Sequence, residues 1–279
     1  MKNIFIWKRF VKHLSRIEGI EIENWVNRKN ERKLQLMKNT FLYITILFVA
    51  MAFYACSDDD YTPEPVYQPG QEVPESAIMS AGETSFFKDI EIPDTIFALM
   101  KGKSFKDDCT VPRSDLRYLL CLHRDINGKA IVGEMVVNKT ISATVLHILH
   151  ELYKASYPIE RMRLVDYWNA DDEMLMRDNN SSSFNFRFIS HTTKVSKHGK
   201  GVAIDINTLY NPYHKTLADG TEVIEPATGA PYLDRSKSFP YKIEKGDLCY
   251  RLFTENGFEW GGEWTTRKDY QHFEFIENE

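Results

Sequence analysis

The stretch Ser196–Asp205 constrains the fold most, because it places a histidine and an aspartate seven residues apart around two glycines. On one helix, His198 and Asp205 would lie about 10 Å apart along the axis. On one unbroken strand they would lie about 23 Å apart, on opposite faces. They can reach a common point only if the chain bends between them, and glycine permits such a bend. We expect a histidine in a loop and an aspartate at the end of a buried strand, Val202–Ile206.

A second cluster of polar side chains lies in the predicted strand Gln271–Ile276. Side chains alternate between the faces of a strand, so His272 and Glu274 share one face while two phenylalanines face the core. Asp269 precedes His272 by three residues, and a turn there brings its carboxylate near the same site. Two imidazoles and one carboxylate are a common zinc set that leaves a fourth position for water. The candidate zinc ligands are therefore His198, Asp205 and His272. Spacing alone leaves structural roles open for both histidines.

The first stretch, Ser-Lys-His-Gly-Lys-Gly-Val-Ala-Ile-Asp, resembles the Ser-x-His-x-x-Gly-x-Ala-x-Asp zinc motif of the VanY-type D-alanyl-D-alanine carboxypeptidase family. That family also includes L-alanyl-D-glutamate endolysins. Residues 269–274, Asp-Tyr-Gln-His-Phe-Glu, are similar to its second motif. The resemblance implies that His198, Asp205 and His272 bind zinc and that Asp269 is the catalytic carboxylate. Many carboxypeptidase members have glutamate at this last position and the endolysin branch has aspartate, which leaves the cleaved bond open.

Four further residues are candidates for the same site, each with a plainer alternative. The resemblance implies that Arg187 stabilises the oxyanion or binds substrate, and the alternative is an ordinary charge at a strand edge. Ser196 either orients the histidine that follows it or simply makes the turn. Glu274 either holds a ligand histidine by its other ring nitrogen or is an ordinary cleft charge. Trp264 either walls the substrate cleft or packs in the core.

The order of predicted elements indicates an α+β domain with an antiparallel sheet, because strands and helices are mixed without regular βαβ units. Leu116–His123 and Ala130–Val137 are predicted strands of a hairpin, since the Asn-Gly between them suits a tight turn. Ile141–Tyr153 has the apolar spacing of a helix. The resemblance implies a central antiparallel sheet flanked by helices, similar to Hedgehog and DD-peptidase zinc domains. Further predictions are strands at Met162–Trp168 and Phe184–Ile189, a loop over 171–183, an ordered functional loop over Tyr210–Lys245 and a helix over Gly246–Asn256.

The apolar run Phe41–Ala52 is short for a membrane span, which needs about 20 residues, and it fits the core of a secretory signal. Ala55-Cys56 followed by Ser-Asp-Asp-Asp resembles a bacterial lipoprotein signal with lipid on Cys56. A retained membrane anchor and a buried helix are the alternatives. The predicted divisions are a basic extension or upstream start artefact (1–36), a lipoprotein signal peptide (37–56), a flexible tether (57–85) and a zinc peptidase domain (86–279).

Charge separates the two ends of the chain: residues 1–55 carry a net charge of +6 and residues 56–279 carry −11. A domain this acidic is a poor candidate for nucleic acid, because neutralising phosphates takes clustered Lys and Arg. The expected partners are peptidoglycan stem peptides and, through the lipid, a membrane of the bacterial envelope, with the domain periplasmic or surface-exposed. We expect a monomer. Of the remaining cysteines, Cys109, Cys121 and Cys249, at most one pair can form a disulfide, and spacing selects none.

The resemblance makes a D-alanyl-D-alanine carboxypeptidase the leading interpretation of function. An L-alanyl-D-glutamate or cross-bridge endopeptidase is the alternative within the same chemistry. A wall-binding lipoprotein that keeps the metal but does no chemistry is the alternative from another class.

Overall fold

The computed structural model describes residues 66–189 and 192–276, together with Glu31, Lys33, Gln35 and Leu36. The chain divides into two compact units, Met1–Glu64 and Pro65–Glu279. In the first unit the four described residues are helical. Among all described residues, no helix has both the length and the apolar character needed to cross a membrane. The predicted signal peptide with Cys56 lies outside the described residues.

The second unit is an α+β fold, as predicted. Its described α-helices are α1 (Glu75–Ala81), α2 (Asp94–Met100), α3 (Ser142–Lys154), α4 (Asp172–Arg177), α5 (Lys197–Lys200) and α6 (Leu248–Glu255). The described strands are β1 (Lys88–Glu91), β2 (Leu116–Arg124), β3 (Ala130–Asn138), β4 (Arg161–Met162), β5 (Asn180–Ser181), β6 (Ala203–Asp205), β7 (Tyr213–Thr216), β8 (Glu222–Glu225), β9 (Phe258–Trp260), β10 (Lys268–Asp269) and β11 (His272–Phe275).

The strands are shared among three antiparallel sheets, ordered β1-β2-β3, β10-β7-β8 and β6-β11-β9, and a short parallel pair, β4-β5. The predicted hairpin is confirmed, with β2 and β3 paired from Leu116↔Asn138 to Arg124↔Ala130. Helix α3 lies over this hairpin, and its buried face shares one core with Ile204 of β6 and Phe273 of β11. The sheet that carries two of the candidate ligands is therefore anchored in the main core.

Two stretches adopt a different structure from the predicted one. The predicted strand Met162–Trp168 continues beyond β4 as a 3₁₀ helix, Val165–Trp168, whose Asp166 carboxylate accepts a hydrogen bond from the Ser104 backbone N–H. The predicted loop 171–183 contains α4, because Asp171 caps it by accepting from the Met174 N–H at 3.0 Å and the helix buries apolar side chains.

Two predicted loop or strand regions are also corrected. Phe184–Ile189 belongs to no named strand, although its phenylalanines 184 and 186 are buried as alternation requires. The long segment Tyr210–Lys245 is not a simple loop, because it contains the β7–β8 hairpin and a 3₁₀ helix, Ala227–Tyr232.

The predicted tether 57–85 is wrong over its second part, which belongs to the folded domain. Val73 and Ile78 are 2% and 4% exposed and pack against Leu122 and Val132 of the β2–β3 hairpin. The Val73 N–H also donates to the Ala130 carbonyl at 2.8 Å. The polar composition of the stretch concealed these two apolar anchors. All three cysteines of the described part are free thiols.

Candidate active site

The two candidate ligand stretches meet because β6 pairs antiparallel with β11, with Asp205 directly opposite His272. His272 Nδ1 lies 3.1 Å from Asp205 Oδ1. His198 Nε2 lies 3.2 Å from Asp205 Oδ2 and 3.0 Å from His272 Nδ1. The structure thus brings together the three residues that the sequence selected as zinc ligands.

His198 lies in the four-residue helix α5. The prediction that this histidine lies in a loop is therefore wrong. Ser196 caps this helix, with its hydroxyl oxygen accepting from the Gly199 N–H at 2.9 Å. Gly201 ends it in the left-handed conformation, at φ 72°, where glycine carries no steric penalty. A Cβ on Gly199 would lie 2.8 Å from the Arg187 carbonyl oxygen, so only glycine fits there. These local features aim the histidine at the end of β6.

The outer nitrogen of each histidine ring has an acceptor that fixes its proton. His198 Nδ1 lies 2.9 Å from the Ser183 carbonyl oxygen, which can only accept, so Nδ1 donates. His272 Nε2 lies 3.1 Å from Glu274 Oε2 and donates in the same way. Glu274 therefore holds a candidate ligand by its other nitrogen. The inner nitrogens, Nε2 of His198 and Nδ1 of His272, are left to bind a cation.

The donor set fits a zinc ion. Zinc–nitrogen and zinc–oxygen bonds of about 2.0–2.2 Å put two ligand atoms of one ion within about 4 Å of each other, and all three separations in the cluster meet that limit. Burial alone would lower the pKa of His272, but its hydrogen bonds to Asp205 and Glu274 raise that pKa to about 10. Burial alone would raise the pKa of Asp205, but His198 and His272 lower it well below its usual range. The cluster stabilises positive charge at its centre.

Asp269 lies on β10 of the β10-β7-β8 sheet. Its Oδ1 atom is buried and has no hydrogen-bond partner among the described residues. Burial raises the pKa of Asp269 to about 7, with the Asp205 carboxylate adding to the increase and His272 opposing it. A carboxyl group with such a pKa can take up and return a proton near neutral pH.

A cleft of about 580 Å³ is lined by the three candidate ligands and Asp269. Arg187 lines it too, and its Nε lies 3.2 Å from Asp172 Oδ2 at the start of α4. The Trp264 ring lies 5.4 Å from the His272 ring and forms part of the wall, so it is more than a core residue.

Sequence reasoning missed five charged residues of the cleft: Asp172, Lys197, Lys215, Glu225 and Arg267. A capping signal at Asp171 could have revealed the helix that begins at Asp172. The positions of Lys215 and Glu225 depend on the pairing of β7 and β8 with the distant strand β10, for which the local sequence gave no signal.

The comparisons with known proteins agree with the two motifs. Residues 190–275 match the family model described as D-alanyl-D-alanine carboxypeptidase, a span that contains all three candidate ligands and Asp269. No curated protein matches the chain. No solved structure matches it either. This part of the chain is therefore similar to D-alanyl-D-alanine carboxypeptidases.

Proposed function

We propose that this protein is a zinc-dependent peptidoglycan peptidase, with a terminal D-Ala-D-Ala as its leading substrate. The observation that carries the proposal is the convergence of His198, Asp205 and His272 beside a separate, half-buried carboxylate, Asp269, in one cleft. The match to the D-alanyl-D-alanine carboxypeptidase model supports the choice of substrate.

In this mechanism, His198 Nε2, His272 Nδ1 and the Asp205 carboxylate would hold the metal. When bound, zinc supplies Lewis acidity, which polarises the scissile carbonyl and makes water more acidic. Asp269 accepts the proton of the attacking water and passes it to the leaving amine. Arg187 offers a permanently charged guanidinium to a substrate oxygen, oriented by its ion pair with Asp172.

An L-Ala-D-Glu or cross-bridge endopeptidase is the second candidate, favoured by aspartate rather than glutamate at position 269. A non-catalytic wall-binding lipoprotein is the third, and the half-buried carboxylate beside the cluster argues against it. We also propose attachment to the bacterial envelope through lipid on Cys56, supported by the small residue before that cysteine and the acidic stretch after it.

The test is cleavage of muropeptides with a pentapeptide stem by the full chain, with zinc and after chelation, followed by mass spectrometry. We expect zinc-dependent loss of one alanine. Asp269→Asn should lower kcat by about 100-fold or more, because it removes the proton acceptor while keeping the shape of the side chain. Asp107→Asn, a matched change of an exposed aspartate, should leave kcat unchanged.

A cut between L-Ala and D-Glu would keep the mechanism and select the second candidate. Zinc-loaded protein that cleaves no stem or cross-link would contradict the enzymatic proposal and leave the binding function.

A further inference from the structure

One wall of the cleft is a face of the β10-β7-β8 sheet. Asp269 pairs with Tyr213 and Lys268 pairs with His214 in an antiparallel register. Arg267 comes directly before β10, and Lys215 follows His214 on β7. Alternate residues share a face, and Asp269, Tyr213, Lys215 and Arg267 all line the cleft. The wall therefore presents two cations, together with the Glu225 carboxylate of β8, beside the candidate proton acceptor.

These two cations have no carboxylate partner among the described residues. An anion bound in the cleft near both side chains would be attracted by both charges. Arg187, in contrast, is paired with Asp172. Lys268, between Arg267 and Asp269 along the strand, donates to the Gly262 carbonyl.

Arg267 is also held in place by an aromatic ring. Its guanidinium carbon lies 4.1 Å from the centre of the Trp264 ring, within the range of a cation–π contact. The same ring lies 5.4 Å from the ring of His272. The contact keeps the cation next to the candidate metal site while leaving its N–H groups free for a forked contact with a carboxylate.

We propose that Lys215 and Arg267 form a carboxylate subsite for the substrate residue that supplies the leaving amine. This inference rests on the proposed function and specifies its substrate. Alternate residues on a strand are about 7 Å apart, so the subsite lies within about two residues' length of the proton acceptor. In the D-Ala-D-Ala bond and in the L-Ala-D-Glu bond, the residue that leaves has a free α-carboxylate. The leaving D-Ala is C-terminal, and the leaving D-Glu is linked onward through its γ-carboxyl group.

The experiment measures peptide binding by calorimetry to the zinc-loaded full chain carrying Asp269→Asn. Two matched pairs of probes separate the two sources of carboxylate. One pair is the pentapeptide stem with a C-terminal carboxylate or carboxamide. The other is the L-Ala-D-Glu-containing tripeptide stem with a free or amidated D-Glu α-carboxyl group.

We expect one pair to show about tenfold tighter binding of the acid than of the amide, because the amide cannot make the charge-assisted contact that the carboxylate makes. That preference should disappear in Arg267→Gln and shrink in Lys215→Gln, and it should weaken with added salt. Arg251→Gln removes a charge from α6, away from the cleft, and should keep the preference.

Equal binding of acid and amide in both pairs would overturn the subsite, as would a preference that survives both cleft variants. The proposed function would still stand in either case, because stem peptides would bind. If no stem binds this variant and none is cleaved by the unmodified protein, the proposed function fails and the subsite fails with it.

Discussion

At the scale of single residues, the site depends on which ring nitrogen of each histidine faces inward. Glu274 decides this for His272, since its carboxylate accepts from Nε2 and leaves Nδ1 for the metal. Ser183 does the same for His198 through its backbone carbonyl, which no side-chain substitution removes. Glu274 is therefore the part of this arrangement that can be tested by mutation.

Glu274→Ala should weaken zinc binding by about 10- to 100-fold, because the imidazole loses the partner that sets its tautomer and orientation. Competition with a chromogenic chelator measures this affinity. Glu255→Ala, at the exposed end of α6, is the matched control and should have no effect. Unchanged affinity in Glu274→Ala would show that this carboxylate is only a cleft charge.

The sequence predicted the four central residues because they lie in two short contiguous motifs. Strand alternation also placed Glu274 on the same face as His272, but it left open whether Glu274 holds the histidine or is an ordinary cleft charge. The sequence could not predict that Lys215 lies near Asp269, because β7 reaches β10 through a register that pairs Tyr213 with Asp269, 56 residues apart in the sequence. Local patterns reveal which face a residue occupies, but not which strand lies beside it.

At the scale of elements, the segment before β1 belongs to the domain, although its composition indicates a tether. Helix α1 shows why, since Ile78 is 4% exposed in the core while its neighbour Met79 is 78% exposed. Periodicity was hard to detect in so short a helix, where one apolar residue is buried. Two anchors, Val73 and Ile78, were outweighed by the surrounding polar residues.

Ile78→Ala should lower the free energy of unfolding by about 2–4 kcal/mol, the usual cost of deleting a buried isoleucine side chain. Met79→Ala, one position along the same helix, should change it by less than about 0.5 kcal/mol. Urea unfolding of the full chain measures both. Equal effects of the two changes would mean that the helix does not pack on the domain as described.

At the scale of the whole folded unit, a metal held by the three candidate ligands would join two elements that are otherwise connected by a short turn. His198 comes from helix α5, and the other two ligands come from the β6-β11-β9 sheet. A ligand that binds only the folded state stabilises it by mass action. Zinc should therefore act on stability as well as on chemistry.

Zinc at about 1,000 times its Kd should stabilise the unit by about 4 kcal/mol, which is about 10 °C in Tm for a domain of this size. Thermal unfolding with zinc and with a chelator measures the shift. His198→Ala should abolish the shift, and His147→Ala, an exposed histidine on α3, should preserve it. A full shift in His198→Ala would place the metal elsewhere.

Asp269, the proposed proton acceptor, and His272, a candidate ligand, lie on two different sheets that are joined by only two residues, Tyr270 and Gln271. One inserted residue there would turn either Asp269 or His272 away from the cleft, since strand faces alternate. The exposed turn between β7 and β8 carries no such restriction. Over evolutionary time, related proteins should vary in the length of the turn between β7 and β8, and they should keep two residues between β10 and β11.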